Sequence, residues 1–414
     1  MTEKINVPKL RFVDFSDTWR KEKLGNFVEI NSGDSPSKFK MVEEGIPFFK
    51  VEQLNNSIKY QTDSIYFINE PKKVISKGSV IFPKRGASIL LNKIRILKQP
   101  SFMDTNLMTL TANEQLNNEY LYYFILREDL STLADTTSIP QINNKHILPY
   151  PIALPTLPEQ QKVASFLSKV DEKIALLSEK KDKLTEYKKG VMQQLFNGRW
   201  EEHEGELTFI PPTLRFKADD GSEFPDWEEK KLGDVLIKYR LGGNYQNSEV
   251  RTRFPLIKMG NLGRGNINLN KVEYIPEGEV IDPQDRIQEG DLFFNTRNTL
   301  ELVGKVAIWK CELPEAYYNS NLMRLEFDNN YFMNYCLNSF NGVRGLKRFA
   351  TGTTSVAAIY TRDLLKLKLC IPSLEEQTKI ADFLSVVDQK IDLTNSELEK
   401  AKEWKRGLLQ QMFV

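Results

Sequence analysis

The sequence predicts an α+β fold: two tandem modules separated by two long antiparallel coiled-coil helices, the whole a pseudo-two-fold internal repeat. Three observations predict it. The chain matches itself along its length, and each copy ends in about forty residues with apolar side chains at alternating three- and four-residue spacing. The remainder of each copy consists of short β-type runs broken by Gly, Asn and Pro.

The repeat sets the organisation. Pro8-Lys9-Leu10-Arg11-Phe12 recurs as Pro212-Thr213-Leu214-Arg215-Phe216, and Trp19 followed by Lys23-Leu24-Gly25 recurs as Trp227 followed by Lys231-Leu232-Gly233, an offset of 208. Gly78 and Arg85 answer to Gly290 and Arg297 at 212, and Asn106-Leu107-Met108 to Asn321-Leu322-Met323 at 215. Residues 157–196 match 374–413 at a constant 217. The expected divisions are a first module over 1–155, a helix over 156–197, a linker over 198–217, a second module over 218–372 and a second helix over 373–414.

Within the modules, 79–82, 94–97 and 292–294 read as strands, and one helix is expected in each copy, near 119–127 and 331–340. In the first tail Val163, Leu167, Val170, Ile174, Leu177, Lys181, Leu184, Lys188, Val191 and Leu195 form one seam; in the second, Ile380, Leu384, Val387, Ile391, Thr394, Leu398, Ala401, Lys405, Leu408 and Met412 do so. Pro155, Pro158 and Pro372 mark where the helices begin. Two copies of one seam in one chain are most simply paired with each other, and the linker, with Gly198, Gly205, Pro211 and Pro212, is long enough for an antiparallel return.

Composition excludes more than it assigns. The 57 Lys and Arg residues are balanced by 56 Asp and Glu, so nucleic-acid contact must come from local patches. Three scattered cysteines (Cys311, Cys336, Cys370) argue for a reducing compartment. Without an apolar leader or a run of ~18 apolar residues, a cytoplasmic protein that avoids membranes is expected. The two histidines, His146 and His203, lie far apart without metal-ligand spacing, so no metal site is expected, and no phosphate-binding G-x-x-x-x-G-K-[ST] loop occurs. Gly260, Gly263 and Gly265 read as a turn rather than a dinucleotide loop. Asp226, Glu228 and Glu229 are too close in sequence to reach a metal from separate strands, and no segment resembles the loop that holds a flipped adenine. No catalytic residue and no bound cofactor are expected.

DNA contact is read from two stretches. Between Pro71 and Met103 lie Lys72, Lys73, Lys77, Lys84, Arg85, Lys93, Arg95 and Lys98 without an acid; between Asn329 and Arg362 lie Arg344, Lys347, Arg348 and Arg362, again without one. One such run is an ordinary solvated face; two at similar places in two copies point to phosphate attraction. Base reading needs forked donors or amides on loops. The candidates are Lys84, Arg85 and Ser88 in the first module and Asn295, Arg297 and Asn298 in the second. Polar segments before each tail follow: Thr136, Thr137, Ser138, Gln141, Asn143, Asn144 and Lys145, then Thr353, Thr354, Ser355, Tyr360 and Arg362.

These features together resemble the specificity subunits of type I restriction–modification enzymes. The resemblance covers essentially the whole chain and rests mainly on the tails. These share Leu157-Pro158-Glu159-Gln160-Gln161-Lys162 against Leu374-Glu375-Glu376-Gln377-Thr378-Lys379, Asp171 and Lys173-Ile174 against Asp388 and Lys390-Ile391, and Gly190, Gln193-Gln194 and Phe196 against Gly407, Gln410-Gln411 and Phe413. The resemblance implies two target-recognition domains, each reading half of a split duplex DNA site, and helices that set the gap. It also implies two adenine-methylating subunits and two motor–nuclease subunits as partners, which would hold S-adenosylmethionine, ATP and Mg. Two other readings stay open: a DNA-binding or scaffolding protein without a methyltransferase partner, and a self-contained nuclease or methylase.

Overall fold

A computed structural model describes residues 7–69, 74–135, 139–203 and 205–414. The chain divides into two compact units, residues 1–179 with 395–414 and residues 180–394. The division cuts through both long helices, Leu157–Leu195 and Leu374–Met412, rather than falling at their ends. The physical reason is visible in the cores: each helix packs one end in the first unit and the other in the second.

In the first unit a five-stranded sheet runs in the order Val28–Ser32, Leu107–Ala112, Val80–Pro83, Arg95–Leu97, Tyr60–Gln61. The strand Leu107–Ala112 pairs antiparallel on both sides, Leu110 lying opposite both Ile30 and Val80. The helix Asn118–Glu128, capped by Asn117 Oδ1 accepting from the Glu119 and Tyr120 amides, buries Tyr120 through Ile125. A two-stranded ribbon, Arg20–Lys23 with Pro151–Leu154, leads into the first long helix.

The second unit repeats this plan. Its main sheet runs Lys238–Leu241, Leu322–Glu326, Leu292–Asn295, Val306–Ile308, and its ribbon pairs Glu228–Lys231 with Lys368–Ile371. The helix expected over 331–340 stops at Asn338, because Ser339 caps a second helix, Phe340–Arg348, with its hydroxyl accepting from the Gly342 amide. The stretch expected as linker contains an antiparallel hairpin, Arg199–His203 with Glu206–Ile210. The glycine-rich segment is a turn, in which the Gly263 amide donates to the Asn266 carbonyl.

Each long helix begins on a matched anchor. Glu159, almost fully buried, takes two hydrogen bonds from the Arg11 guanidinium at 2.7 and 2.9 Å; Glu376 takes two from Arg215 at 3.1 and 2.7 Å and a third from the Trp227 indole. A buried carboxylate must be paired, and a forked guanidinium does so with two bonds. Gln160 and Gln377 donate back to the carbonyls of Pro155 and Pro372, closing the first turn. The Glu-Gln pair that the two tails share is thus a fastening between helix and domain.

Each long helix also ends on an aromatic plug. Phe413 lies against Tyr120 and Phe124 at ring-centroid distances of 5.0 and 6.4 Å in the first unit. Phe196 lies against Trp227 and Phe332 at 6.3 and 5.8 Å in the second. Within the first unit Val163, Leu167 and Val170 share a core with Leu408 and Met412, and Leu177 lines a groove with Glu397, Ala401 and Trp404, so low numbers on one helix meet high numbers on the other. In the second unit Val191 and Leu195 meet Ile380 and Leu384 in the same antiparallel sense. Val387 is buried; Ile174 and Ile391 are half-buried.

The seam contains lysines at matched positions, and each faces an aspartate of the other helix. Lys405 Nζ lies 2.6 Å from Asp171, and Lys188 Nζ 2.5 Å from Asp388. Each aspartate also accepts from a domain tyrosine, Tyr123 at 2.6 Å and Tyr335 at 2.8 Å. Burial and the neighbouring carboxylate push both phenols well above their ordinary range, so they stay protonated donors. In the first unit this node extends to buried Lys59, which donates to Glu119 at 3.1 Å, Tyr123 at 3.0 Å and Ser168 at 2.5 Å. Burial raises the Glu119 pKa, but hydrogen bonds from Tyr60 and Ser168 and the Lys59 charge outweigh it and leave a carboxylate more acidic than usual.

Lys405→Asp places two carboxylates across the seam and should destabilise the first unit by roughly 2–4 kcal/mol, between the values for exposed and fully buried pairs. The charge exchange Asp171→Lys with Lys405→Asp should recover part of that loss. Denaturant titration followed by Trp404 fluorescence measures both; a double variant no more stable than the single would show that the pair does not hold the seam.

Candidate nucleic-acid interface

The two groups of polar candidates in each module are distant in sequence, and the fold brings them together. In the first unit the strand Val80–Pro83 delivers Lys84 and Arg85 to an edge. There the Lys84 carbonyl accepts from the Ile142 amide, Arg85 forms a β-bridge with Gln141, and the Gly86 amide donates to the Pro140 carbonyl. Gln141 and Asn143 are half-buried and linked by a 3.3 Å side-chain hydrogen bond; Asn144 and Lys145 are exposed on the following helical turn. His146 Nδ1 accepts from the Asn143 amide, a capping role. Thr136, Thr137 and Ser138 lie outside the described residues, as do Lys72 and Lys73.

In the second unit Arg297–Asn298 pairs antiparallel with Ala357–Ala358, which pairs with Thr351–Gly352. Thr353, Thr354 and Ser355 form the exposed tip of that hairpin, where the Thr353 amide donates to the Val356 carbonyl. Tyr360 and Arg362 follow, both exposed, with Arg362 3.4 Å from Asp363 of its own turn. Each unit therefore presents one composite edge.

The charges on these edges differ in freedom. Arg85 and Arg297 are exposed, and neither guanidinium has a partner among the described residues. Burial, and then the Arg85 charge, lower the Lys84 pKa, with Asp104 working against both. Lys84 therefore gains by meeting a phosphate. Ser88 and Asn298 are half-buried, and Asn298 Oδ1 accepts from the Thr299 amide at 2.8 Å.

Asn295 is corrected by the structure. It is fully buried at the end of its strand, its Oδ1 accepts from the Arg297 amide at 3.2 Å, and its Nδ2 has no partner among the described residues. It shapes the turn that aims Arg297 and does not reach the surface. Period-two alternation fails here because all four residues of the strand, Leu292–Asn295, are buried.

The basic stretches also divide by role. Arg95 donates to the carbonyls of Ser57, Ile94 and Leu54 at 2.7–2.8 Å and is a structural clamp. Lys93 is bonded to Asn55, and Lys98 lies 4.6 Å from the centre of the Tyr60 ring. Arg344, Lys347 and Arg348 sit on the helix Phe340–Arg348, where they line a groove with exposed Phe340. Of the four basic residues in the second stretch, Arg362 belongs to the composite edge. Among the described residues no helix is long and apolar enough to cross a membrane.

A family model for the type I restriction modification DNA specificity domain matches residues 16–186 and again 225–403. The MjaVIII specificity subunit of a type I restriction enzyme from Methanocaldococcus jannaschii is 25% identical, over 99% of this chain and 95% of its own. The EcoKI specificity subunit of Escherichia coli is 19% identical, over 96% and 84%. The solved S subunit of a type I system from M. genitalium superposes with a TM-score of 0.58 at 17% identity, covering 99% of both chains. A chain from a structure concerned with complex assembly and conformational transition of the type I R-M system gives 0.55 at 18% identity, over 95% and 97%.

Arg95→Ala should cost about 1–3 kcal/mol, because its carbonyl partners lose a charged donor. Arg85→Ala, on an open edge, should stay within ~0.5 kcal/mol of the parent. Thermal melts separate the two; equal midpoints for Arg95→Ala and the parent would remove the clamp.

Proposed function

The chain belongs to the type I restriction modification DNA specificity family, and on that premise we propose that each unit reads one half of a bipartite duplex target through its composite edge. The observation that carries this reading is the recurrence of that edge: in both units an exposed arginine, without a partner among the described residues, follows an interior strand and is bridged to a segment more than fifty residues further on, at Gln141 in the first and at Ala358, in the hairpin tipped by Thr353–Ser355, in the second. A guanidinium in such a place has the fork needed for a guanine edge, and the neighbouring amides and hydroxyls suit adenine and the phosphates.

In this reading the chain carries no catalysis of its own. Two methyltransferase subunits hold S-adenosylmethionine, and two motor–nuclease subunits bring ATP and Mg. The long helices offer matched docking points. Leu176 and Leu393 are exposed and related by the offset of 217, as are Tyr187 and Trp404. Two copies of one apolar pair, one in each unit, suit two identical partners. A co-expressed methyltransferase should co-purify with the chain, and its failure to do so would favour a DNA-binding protein without that partner.

Half-site reading is tested by competition binding. Arg85→Ala should weaken one half-site by ~1–3 kcal/mol and Arg297→Ala the other, if each makes a bidentate base contact. Equal loss on both halves from a single substitution would refute independent reading.

The helices would set the spacing. Seven residues inserted after Lys180, and seven after the matched Glu397, keep the heptad phase and lengthen each helix by ~10 Å. At ~3.4 Å per base pair the preferred gap should grow by ~3 base pairs. Methylation of a spacer library by the assembled complex measures this, and an unchanged optimum eliminates the ruler.

A further inference from the structure

Beside each edge arginine the fold holds leucines out in solvent on a backbone that is otherwise tied down. In the first unit the chain after Arg85 turns through a short 3-10 helix, Ala87–Leu91. Ile89 is buried behind it. Asn92 closes it in the left-handed region, at φ 45°, with a side chain that donates to the Leu126 carbonyl and accepts from the Leu130 amide. Leu90 and Leu91 remain 62% and 61% exposed. Exposure of two leucines on a loose loop means little; here the turn is anchored at both ends, so they are presented.

The second unit does the same. At the offset of 212 that relates Arg85 to Arg297, Leu90 falls on Leu302, Lys93 on Lys305, and Asn92 on Gly304, whose φ of 73° is also positive. Val303 is buried, and the Leu302 and Val303 amides both donate to the Thr299 carbonyl. The Leu300 amide donates to the Thr354 carbonyl of the hairpin tip. Leu300 and Leu302 are 41% and 37% exposed. One feature departs from the basic surroundings: exposed Glu301 stands between them, a carboxylate that duplex DNA accommodates at a cytosine amino group.

Exposed leucines a few residues beyond an exposed arginine, Arg85 in one unit and Arg297 in the other, suit a polyanion with an apolar interior. Stacked bases behind phosphates are such a surface, and apolar side chains that enter a base step unstack and kink it. We infer that Leu90 with Leu91, and Leu302 with Leu300, are wedges that enter the base stack beside the bases met by Arg85 and Arg297. This rests on the half-site reading above and adds to it: each unit deforms the duplex as well as reading it, which lowers the cost of extruding a base nearby.

The test uses the full chain, with its co-expressed methyltransferase, on duplexes carrying the sequence found by mapping methylated adenines in the host. 2-Aminopurine is placed at successive steps across each half. The parent should give a fluorescence rise at one step in each half. Leu90→Ala with Leu91→Ala should abolish the rise in one half and leave the other intact, Leu302→Ala with Leu300→Ala should do the converse, and Leu90→Met should retain it. Binding by anisotropy should keep its salt slope, since no phosphate contact is lost. A rise that survives in the alanine variants overturns the wedge while leaving half-site reading intact. Loss of methyltransferase co-purification with the rise retained reassigns the leucines to a protein contact and likewise overturns it. A parent that binds none of the duplexes overturns the half-site reading itself.

Discussion

A lysine in a seam of leucine and valine is costly unless a carboxylate faces it, and a carboxylate there is costly unless it is neutralised and hydrogen-bonded. Lys405 with Asp171, and Lys188 with Asp388, meet both conditions, and each aspartate takes a further bond from a tyrosine of the adjoining domain. Sliding either helix by one turn would leave the charges unmet. Leucine contacts alone tolerate such a slip, because the seam repeats. The polar node therefore selects one register and one direction, and through Tyr123 and Tyr335 it ties that register to the domains.

The same logic runs outward from the node. Glu159 and Glu376 fix where each helix starts, and Phe196 and Phe413 fix where it ends. With start, crossing and end all determined, the strand that carries Arg85 is mounted firmly within its own unit, and the strand that carries Arg297 within its own. A loop that must meet a base edge to within a fraction of an ångström needs such mounting.

The repeat and the helices were legible in the sequence because both are periodic. Self-matching shows at any residue that recurs, and the seam shows as three- and four-residue spacing. The candidate edge was half legible: the right segments could be named, but not that Gln141 would lie beside Arg85, since pairing across more than fifty residues leaves no local signature. Asn295 and Arg95 misled for a common reason. Residue type indicates what a side chain can donate, and burial decides to whom; Arg95 spends its donors on carbonyls of its own unit. The Asp–Lys nodes left a signal that could have been used. Lys188 and Lys405 interrupt an apolar seam at the same offset that relates Asp171 to Asp388, and an unexplained charge in a seam calls for a partner.

The first unit takes its last twenty residues, 395–414, from beyond the whole of the second. During synthesis its sheet and its Asn118–Glu128 helix emerge long before Leu408, Met412 and Phe413 exist to cover Tyr120 and Phe124. At ~5–20 residues per second the ribosome leaves that aromatic face open for on the order of ten seconds or more. The nascent first unit must therefore wait with its lid missing, and its apolar face is what a holding chaperone would meet on the emerging chain.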